Sequence, residues 1–272
     1  MTTLIFDCDG VISDTERYGH LPAYNATFKE FGVPVEWSED DYAIMLQIAG
    51  GKERMLKLFT PEFVAQTGLP SDPEEQKAEV ARWHKRKTEI YAKMVNEGLL
   101  PPRTGIARIM RAALDGGWQL AVASTSAHPA VLAVLHAAIG KDDADRFAEI
   151  FAGDIVPKKK PAPDIYLLAM ETLGADPADT IVIEDSRNGL RAATAAGLNT
   201  VVTVNGYTEE EDFSEARLVV SSLGDPGEKT QVLANRSNAT PGDMITLDDL
   251  LACLPNRNLG SEANGETTSH VR

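Results

Sequence analysis

A chain of 272 residues is long enough for one large domain or two smaller ones and needs no disulfide or metal staple to build a core. Hydrophobic residues at 43% and charged residues at 25% are globular proportions and exclude disorder throughout. Against 26 Lys and Arg stand 41 Asp and Glu, a net charge of −15 that repels phosphate backbones and anionic bilayers, so neither nucleic acid nor membrane is expected as a partner.

In chain order, an apolar run at residues 3–6 predicts a buried strand, followed by a long stretch, residues 15–100, with helical patterning and no strand run. Within it Ser38-Glu39-Asp40-Asp41 reads as a helix start with an acidic first turn. Pro73-Glu74-Glu75 opens a long helix towards Glu97, closed by Gly98 and Pro101-Pro102. Thereafter helices at 105–114, 129–139, 164–173 and 188–196 alternate with strands at 119–123, 150–152, 180–183, 200–204 and 218–220. Gly174 and Gly197 sit where helix C-termini favour positive φ. The alternation predicts an α/β fold with a doubly wound, Rossmann-like parallel sheet as its core. The expected division is a core of residues 1–14 and 101–254, an inserted all-helical domain of residues 15–100, and a disordered polar tail from 255 to 272. Residues 225–243 read as loop.

Cys8 and Cys253, the two cysteines, form neither a disulfide framework nor a metal-binding spacing, which points to a reducing compartment. No apolar run reaches the ~20 residues of a membrane span. The chain enters its first strand with no basic region ahead of an apolar stretch, so no secretory signal is expected. A cytoplasmic location is the expectation, with the plastid stroma after removal of a transit peptide as the alternative.

Chemistry concentrates at strand ends. In Phe6-Asp7-Cys8-Asp9-Gly10-Val11, Asp7 and Asp9 are two apart on a strand and share a face, and Gly10 allows a sharp turn after them. Two crowded carboxylates repel unless a cation stands between them. By themselves they read equally well as a polar strand end. A second acidic pair, Glu184 and Asp185, follows the apolar run Ile181-Val182-Ile183, and hard oxygen ligands of this kind suit Mg²⁺. Acidic pairs from two strands at the edge where open α/β sheets bind ligands are hard to explain as structure alone. Ser124-Thr125-Ser126 ends a strand ahead of a helix, as a phosphate site does and as many helix caps do. In Lys158-Lys159-Lys160-Pro161 the first two lysines read as solvated surface, whereas Pro161 can aim Lys160 consistently.

Together and in this order, Asp7 with Asp9, Ser124, Lys160, and Glu184 with Asp185 resemble the signature of the haloacid dehalogenase-like superfamily of phosphotransferases. The likeness extends over residues 4–203, and the insertion sits where subfamilies with a helical cap carry theirs. Asp14-Thr15-Glu16, Gly50-Gly51-Lys52-Glu53-Arg54 and His84-Lys85-Arg86-Lys87-Thr88-Glu89 look like the CbbY group, whose cap resembles that of β-phosphoglucomutase. Around Cys8-Asp9-Gly10-Val11 and Pro157-Lys158-Lys159-Lys160 the similarity to plant-type members is especially close. Ala127 departs from the plant-type pattern, which has Asn there.

The resemblance implies hydrolysis of the C1 phosphate of xylulose 1,5-bisphosphate, an inhibitor of Rubisco, through an aspartyl-phosphate. Asp7 is the implied nucleophile, Asp9 the acid and base, and Lys160 and Ser124 the holders of phosphate oxygens, with Thr125 and Ser126 as further substrate contacts. Asp7, the Asp9 main-chain carbonyl and Asp185 are the implied Mg²⁺ ligands, Glu184 ligating directly or through water. A bisphosphate needs a second cationic site, for which Lys52, Arg54, Lys87 and Arg103 are the candidates. Gly51 lies in the same motif, and Glu16 can accept hydrogen bonds from sugar hydroxyls. His20 could assist, although a lone histidine on a helix is more often simply packed. A small phosphorylated sugar is therefore the expected partner of a monomer. The alternative is a mutase of the β-phosphoglucomutase type, which shares all the core residues.

Overall fold

The computed structural model describes residues 1–48 and 50–255, so the tail expected to be disordered lies, apart from Pro255, outside the described residues. Strand β1 (Thr3–Phe6) leads into a π-helical turn, Glu16–His20, that runs directly into α1 (Leu21–Glu30). Helices α2 (Glu39–Leu46), α3 (Gly51–Leu56), α4 (Pro61–Thr67) and α5 (Pro73–Asn96) complete the helical insertion. The core resumes with α6 (Ile106–Asp115), β2 (Gln119–Ser124), α7 (His128–Ile139), the single turn α8 (Lys141–Ala144) and β3 (Glu149–Ala152). It closes with α9 (Asp164–Leu173), β4 (Thr180–Glu184), α10 (Arg187–Ala195), β5 (Asn199–Thr203), β6 (Leu218–Val220), β7 (Val232–Asn235) and α11 (Leu247–Ala252).

The strands form one seven-stranded sheet in the order β3-β2-β1-β4-β5-β6-β7, parallel except for β7. Alternating residues of the central strands bury opposite faces, as period two demands. Leu4, Phe6, Leu120, Val122, Ile181 and Ile183 meet α6 and α7 through Ile109, Met110, Val131 and Leu135. Ile5, Ala121, Ala123 and Val182 meet α9 and α10 through Ile165, Tyr166, Ala192 and Ala193. Three core elements are absent from the sequence reading: the single turn α8, and β7 and α11, which fall in or just after the stretch read as loop. Strand β7 is short, pairs antiparallel at the sheet edge, and leaves Val232 and Leu233 exposed, so it lacks the buried apolar run that marks the other strands.

The insertion has its own core. Tyr24, Phe28, Trp37, Tyr42 and Trp83 are buried against one another with Met55 and Val80. The Ser38 capping box starts α2, and the Asp72 carboxylate accepts from the backbone N–H groups of Glu74 and Glu75 to start α5. The buried stripe of α5 is Val80, Trp83, Lys87, Tyr91 and Val95, at helical spacing. A lysine on that stripe is the anomaly.

Phe6 pairs with Val122 on one side and Ile183 on the other, so the residues that follow β1, β2 and β4 emerge side by side at the carboxyl edge. Because the chain leaves β1 first towards β2 and β3 and then crosses to β4, this edge is the topological switch point, where open α/β sheets bind ligands. No helix among the described residues is long and apolar enough to cross a membrane.

Candidate active site

At that edge the Lys160 ammonium donates to Asp7 Oδ1 at 2.7 Å, to Glu184 Oε1 at 2.6 Å and to the Ala123 carbonyl at 2.9 Å. Its peptide bond to Pro161 is cis. Tyr166, fully buried on α9, donates its hydroxyl to the same Glu184 Oε1 at 2.6 Å. The other Glu184 oxygen accepts the Asp185 backbone N–H at 3.2 Å. Asn205, in the loop after β5, donates to Asp185 Oδ2 at 2.7 Å. Gly10 has φ 81°, and a Cβ there would fall 2.0 Å from Asp185 Oδ2, so only glycine lets the turn after Asp9 meet Asp185.

Carboxylate oxygens of Asp7, Glu184 and Asp185 lie within 4.8 Å of one another, all buried. Burial pushes the Asp7 carboxyl up to about 7, against the pull of Lys160, with Glu184 and Asp9 adding to the rise. Burial likewise drives Asp185 well above the carboxylate range, helped by Asp7 and Glu184. One ammonium is too little positive charge for three buried carboxylates, and a hard divalent cation is the group that would let all of them ionise. The residues present therefore fit Mg²⁺. The Asp9 side chain stands outside this cluster. Thr15 Oγ1 donates to its Oδ1 at 2.6 Å and the Ser126 hydroxyl to its Oδ2, which leaves the carboxylate oriented by hydroxyls rather than by the acidic group.

Asp7, Asp9, Lys160, Glu184, Asp185 and Asn205 line a cleft of about 600 Å³ between the sheet edge and the insertion. Thr125 lines it from β2's end, whereas Ser124 is buried and its hydroxyl accepts the Ser126 N–H at 3.1 Å. Lys159, read as plain surface, pairs with Asp154 at 2.6 Å and yet lines the cleft. From the insertion come Glu16 and Arg54. Tyr42 donates to Glu16 Oε2 at 2.5 Å, and Arg54 donates to the Tyr42 hydroxyl oxygen at 3.3 Å and to the Ile48 carbonyl at 3.0 Å. Burial raises the Glu16 pKa from its ordinary value, with Tyr42 and Arg54 opposing.

Other predicted residues are placed differently. Lys87 is buried beside His20 and does not line the cleft, and Lys52 is exposed on α3. Gly51 opens α3 where a Cβ would come 2.7 Å from the Tyr24 hydroxyl and 2.8 Å from His84 Nε2. Arg103 is a correction. Its guanidinium donates to the carbonyls of Gly10, Thr203, Val204 and Ser221 and to Thr203 Oγ1, so it ties core loops together and is not free for a substrate phosphate. The sequence assigns no role to Tyr166, Asn205 or Tyr42, and Thr15 stands there only as part of the Asp14-Thr15-Glu16 segment. Asn205 had a signal, because it follows a predicted strand at the ligand-binding edge. Tyr166 had none beyond a helical apolar stripe.

The model of the haloacid dehalogenase-like hydrolase family matches residues 1–197, and the chain belongs to that family. Relatives named as phosphatases place it among the phosphoric monoester hydrolases. Within the family it falls with the CbbY group. It is 46% identical over 233 residues to the CBBY-like protein of Arabidopsis thaliana, covering 86% of this chain and 72% of that one. It is 42% identical over 233 residues to the plasmid-borne CbbY of Cupriavidus necator, covering 84% and 88%. A solved structure of a CbbY variant from Rhodobacter sphaeroides, in complex with xylulose-(1,5)bisphosphate, aligns with TM-score 0.67 at 36% identity over 82% of this chain and 95% of that one.

Proposed function

We propose that the protein is a Mg²⁺-dependent phosphatase that removes the C1 phosphate of xylulose 1,5-bisphosphate and releases xylulose 5-phosphate. The observation that carries the reading is the pairing, across one cleft, of the Asp7–Lys160 edge with Arg54 and Glu16 from the insertion. The edge suits one phosphate. Arg54 supplies charge for a second group, and Glu16 accepts hydrogen bonds from hydroxyls between them. The bisphosphate complex of the Rhodobacter sphaeroides relative supports the same choice.

Asp7 attacks phosphorus in line as the bond to the C1 oxygen breaks, forming an aspartyl-phosphate. Asp9, held by Thr15 and Ser126, gives its proton to the departing sugar oxygen. It then takes a proton from the water that attacks phosphorus, and breaking the acyl-phosphate bond returns Asp7 and frees inorganic phosphate. Lys160 and the Thr125 hydroxyl hold phosphate oxygens, and Ser124 supports the turn carrying Thr125. Asp7 and Asp185, with Glu184, would hold Mg²⁺, which when bound offsets the repulsion between carboxylate and phosphate dianion. The insertion acts as a cap that excludes bulk water.

A phosphate-release screen over xylulose 1,5-bisphosphate, xylulose 5-phosphate and glucose 6-phosphate tests the reading, with strong preference for the bisphosphate expected. Equal turnover of the monophosphates would refute the substrate assignment. Conversion of β-glucose 1-phosphate to glucose 6-phosphate with a trace of bisphosphate would assign the mutase reaction instead.

A further inference from the structure

Tyr207 belongs to the core by sequence, in the loop after β5, but it packs into the apolar cluster of the insertion. Every other described member of that cluster lies between residues 21 and 83. The ring stands edge-on to Tyr42, with centroids 6.0 Å apart at 83°. Tyr42 is the residue whose hydroxyl serves Glu16 and Arg54 in the cleft. The Tyr207 hydroxyl is itself buried with no hydrogen-bond partner among the described residues, so the ring makes the contact.

The same loop reaches the opposite way. Asn205 donates from Nδ2 to Asp185 Oδ2 at 2.7 Å, and its Oδ1 accepts the Tyr207 backbone N–H at 2.9 Å. Both ends of one amide are thus committed, one to a carboxylate and one to Tyr207, which leaves no freedom to flip it. The loop is braced internally by Asn205 N–H to Thr208 Oγ1 at 3.0 Å and Thr208 N–H to the Asn205 carbonyl at 3.0 Å. A shift of the Tyr207 backbone therefore turns the Asn205 amide, and with it Asp185.

We infer that Tyr207 is a positioning residue that couples the seating of the cap to Asp185: its ring latches onto Tyr42 when the cap is closed, and its backbone holds Asn205 against Asp185. The inference rests on the assignment of Asp185 to the metal site above. Two contacts in series, an aromatic pair at the cap and a buried amide at the core, give the substrate-binding face and the catalytic edge a common hinge pin.

The test compares Tyr207→Ala and Tyr207→Phe in the full chain. Calorimetric titration with Mg²⁺ alone reads the core end. Binding three- to tenfold weaker is expected for Tyr207→Ala, with Tyr207→Phe restored to the wild-type value. Steady-state kinetics on whichever sugar phosphate the wild type turns over best reads the cap end. There Tyr207→Ala is expected to lose roughly ten- to a hundredfold in kcat/KM, mostly in kcat, and Tyr207→Phe to recover it. Equal Mg²⁺ affinity in wild type and Tyr207→Ala overturns the coupling, as does a Phe variant as damaged as the Ala one. If Tyr207→Ala does not fold, Tyr42→Ala cuts the latch from the cap side, and unchanged Mg²⁺ affinity there likewise overturns it. Absence of Mg²⁺ binding by the wild type removes the metal assignment itself, an outcome distinct from equal affinity in the two proteins.

Discussion

Lys87 donates to His20 Nδ1 across 2.7 Å, a buried ammonium leaning on an imidazole rather than on a carboxylate. No carboxylate among the described residues lies within ion-pair distance of it. An Nδ1 that accepts from an ammonium is an imidazole with its proton on Nε2, and burial beside Lys87 and Arg54 drives the His20 pKa well below its ordinary value. His20 stacks on Tyr91 at 4.1 Å, and the ammonium sits over the rings of Tyr24 and Tyr91 at 4.7 and 5.3 Å. These are soft partners for a positive charge, and burial outweighs the attraction of Glu16 to bring Lys87 down to about 8.

Stability should follow that shift. Between pH 8 and 10.5 the unfolded chain holds a proton on Lys87 that the folded chain has released, so stability rises with pH across this window. Lys87→Met should accordingly stabilise the protein at pH 7 by about 1–3 kcal/mol, the lower figure allowing for the lost ring contacts. The gain should fade towards pH 10.5. Urea denaturation in chelator at pH 7 and 9.5 measures both. A destabilised Met variant at pH 7 would show that the lysine is better compensated than its partners indicate.

The acidic cluster predicts the opposite pH sense. With Asp7 raised to about 7, the metal-free folded chain holds a proton that the unfolded chain gives up near 4, so stability is lost as pH rises from 4 to 7. Mg²⁺ should reverse this, and the rise in Tm it produces should grow between pH 5.5 and 7.5. Activity should vanish in EDTA, return with Mg²⁺ and be inhibited by Ca²⁺, whose looser coordination misplaces the ligands. A Tm response to Mg²⁺ that does not vary with pH would separate the metal from Asp7.

Gly189 offers a sharper test because two effects compete there. It is buried in α10, where alanine is favoured over glycine by about 1 kcal/mol. A Cβ would, however, fall 2.0 Å from the Glu184 carboxyl carbon, an overlap that propensity cannot offset. Gly189→Ala should push Glu184 off Lys160 and Tyr166 and cut kcat by two orders of magnitude or more, roughly the effect of losing one charge-stabilising group. Phosphate release under saturating substrate checks it, and near-normal kcat would mean that Glu184 has room to move.

Much of the core was legible because its signals are local. Fully buried strands such as Ile181-Val182-Ile183 announce themselves as apolar runs, and Ser38 and Pro73-Glu74-Glu75 mark helix starts by their own chemistry. Asp7, Glu184 and Asp185 stand out as charges at the ends of such runs and Lys160 by the proline that follows it, and the sheet brings them together. What was not legible depends on partners distant in sequence. Arg103 looks like any other candidate cation for the second phosphate until Gly10 and Thr203, 93 and 100 residues away, are found to take its guanidinium. Tyr166 is one more apolar-stripe residue until Glu184 meets its hydroxyl. Strand β7 carries no buried face to reveal it.

Arg54 bears on the substrate. It lines the cleft opposite the Asp7 edge, its guanidinium lies 5.8 Å from the Tyr42 ring centroid, and the Ile48 carbonyl accepts from its Nε, so its direction is set before any ligand arrives. A preorganised cation of this kind contributes most to a substrate carrying charge at that distance from the reacting phosphate, and remote binding of that sort is expressed in rate as well as affinity. Arg54→Ala should lower kcat/KM for xylulose 1,5-bisphosphate by ten- to a hundredfold, the equivalent of about 1.5–3 kcal/mol for one charge-assisted contact. A small aryl phosphate that ends short of the cap should be hydrolysed as before. Lys52→Ala, at an exposed position outside the cleft wall, should change either substrate by less than about threefold. Parallel loss of both substrates in Arg54→Ala would make the arginine a structural member of the cap, and the second-phosphate assignment would then have to pass to another cation.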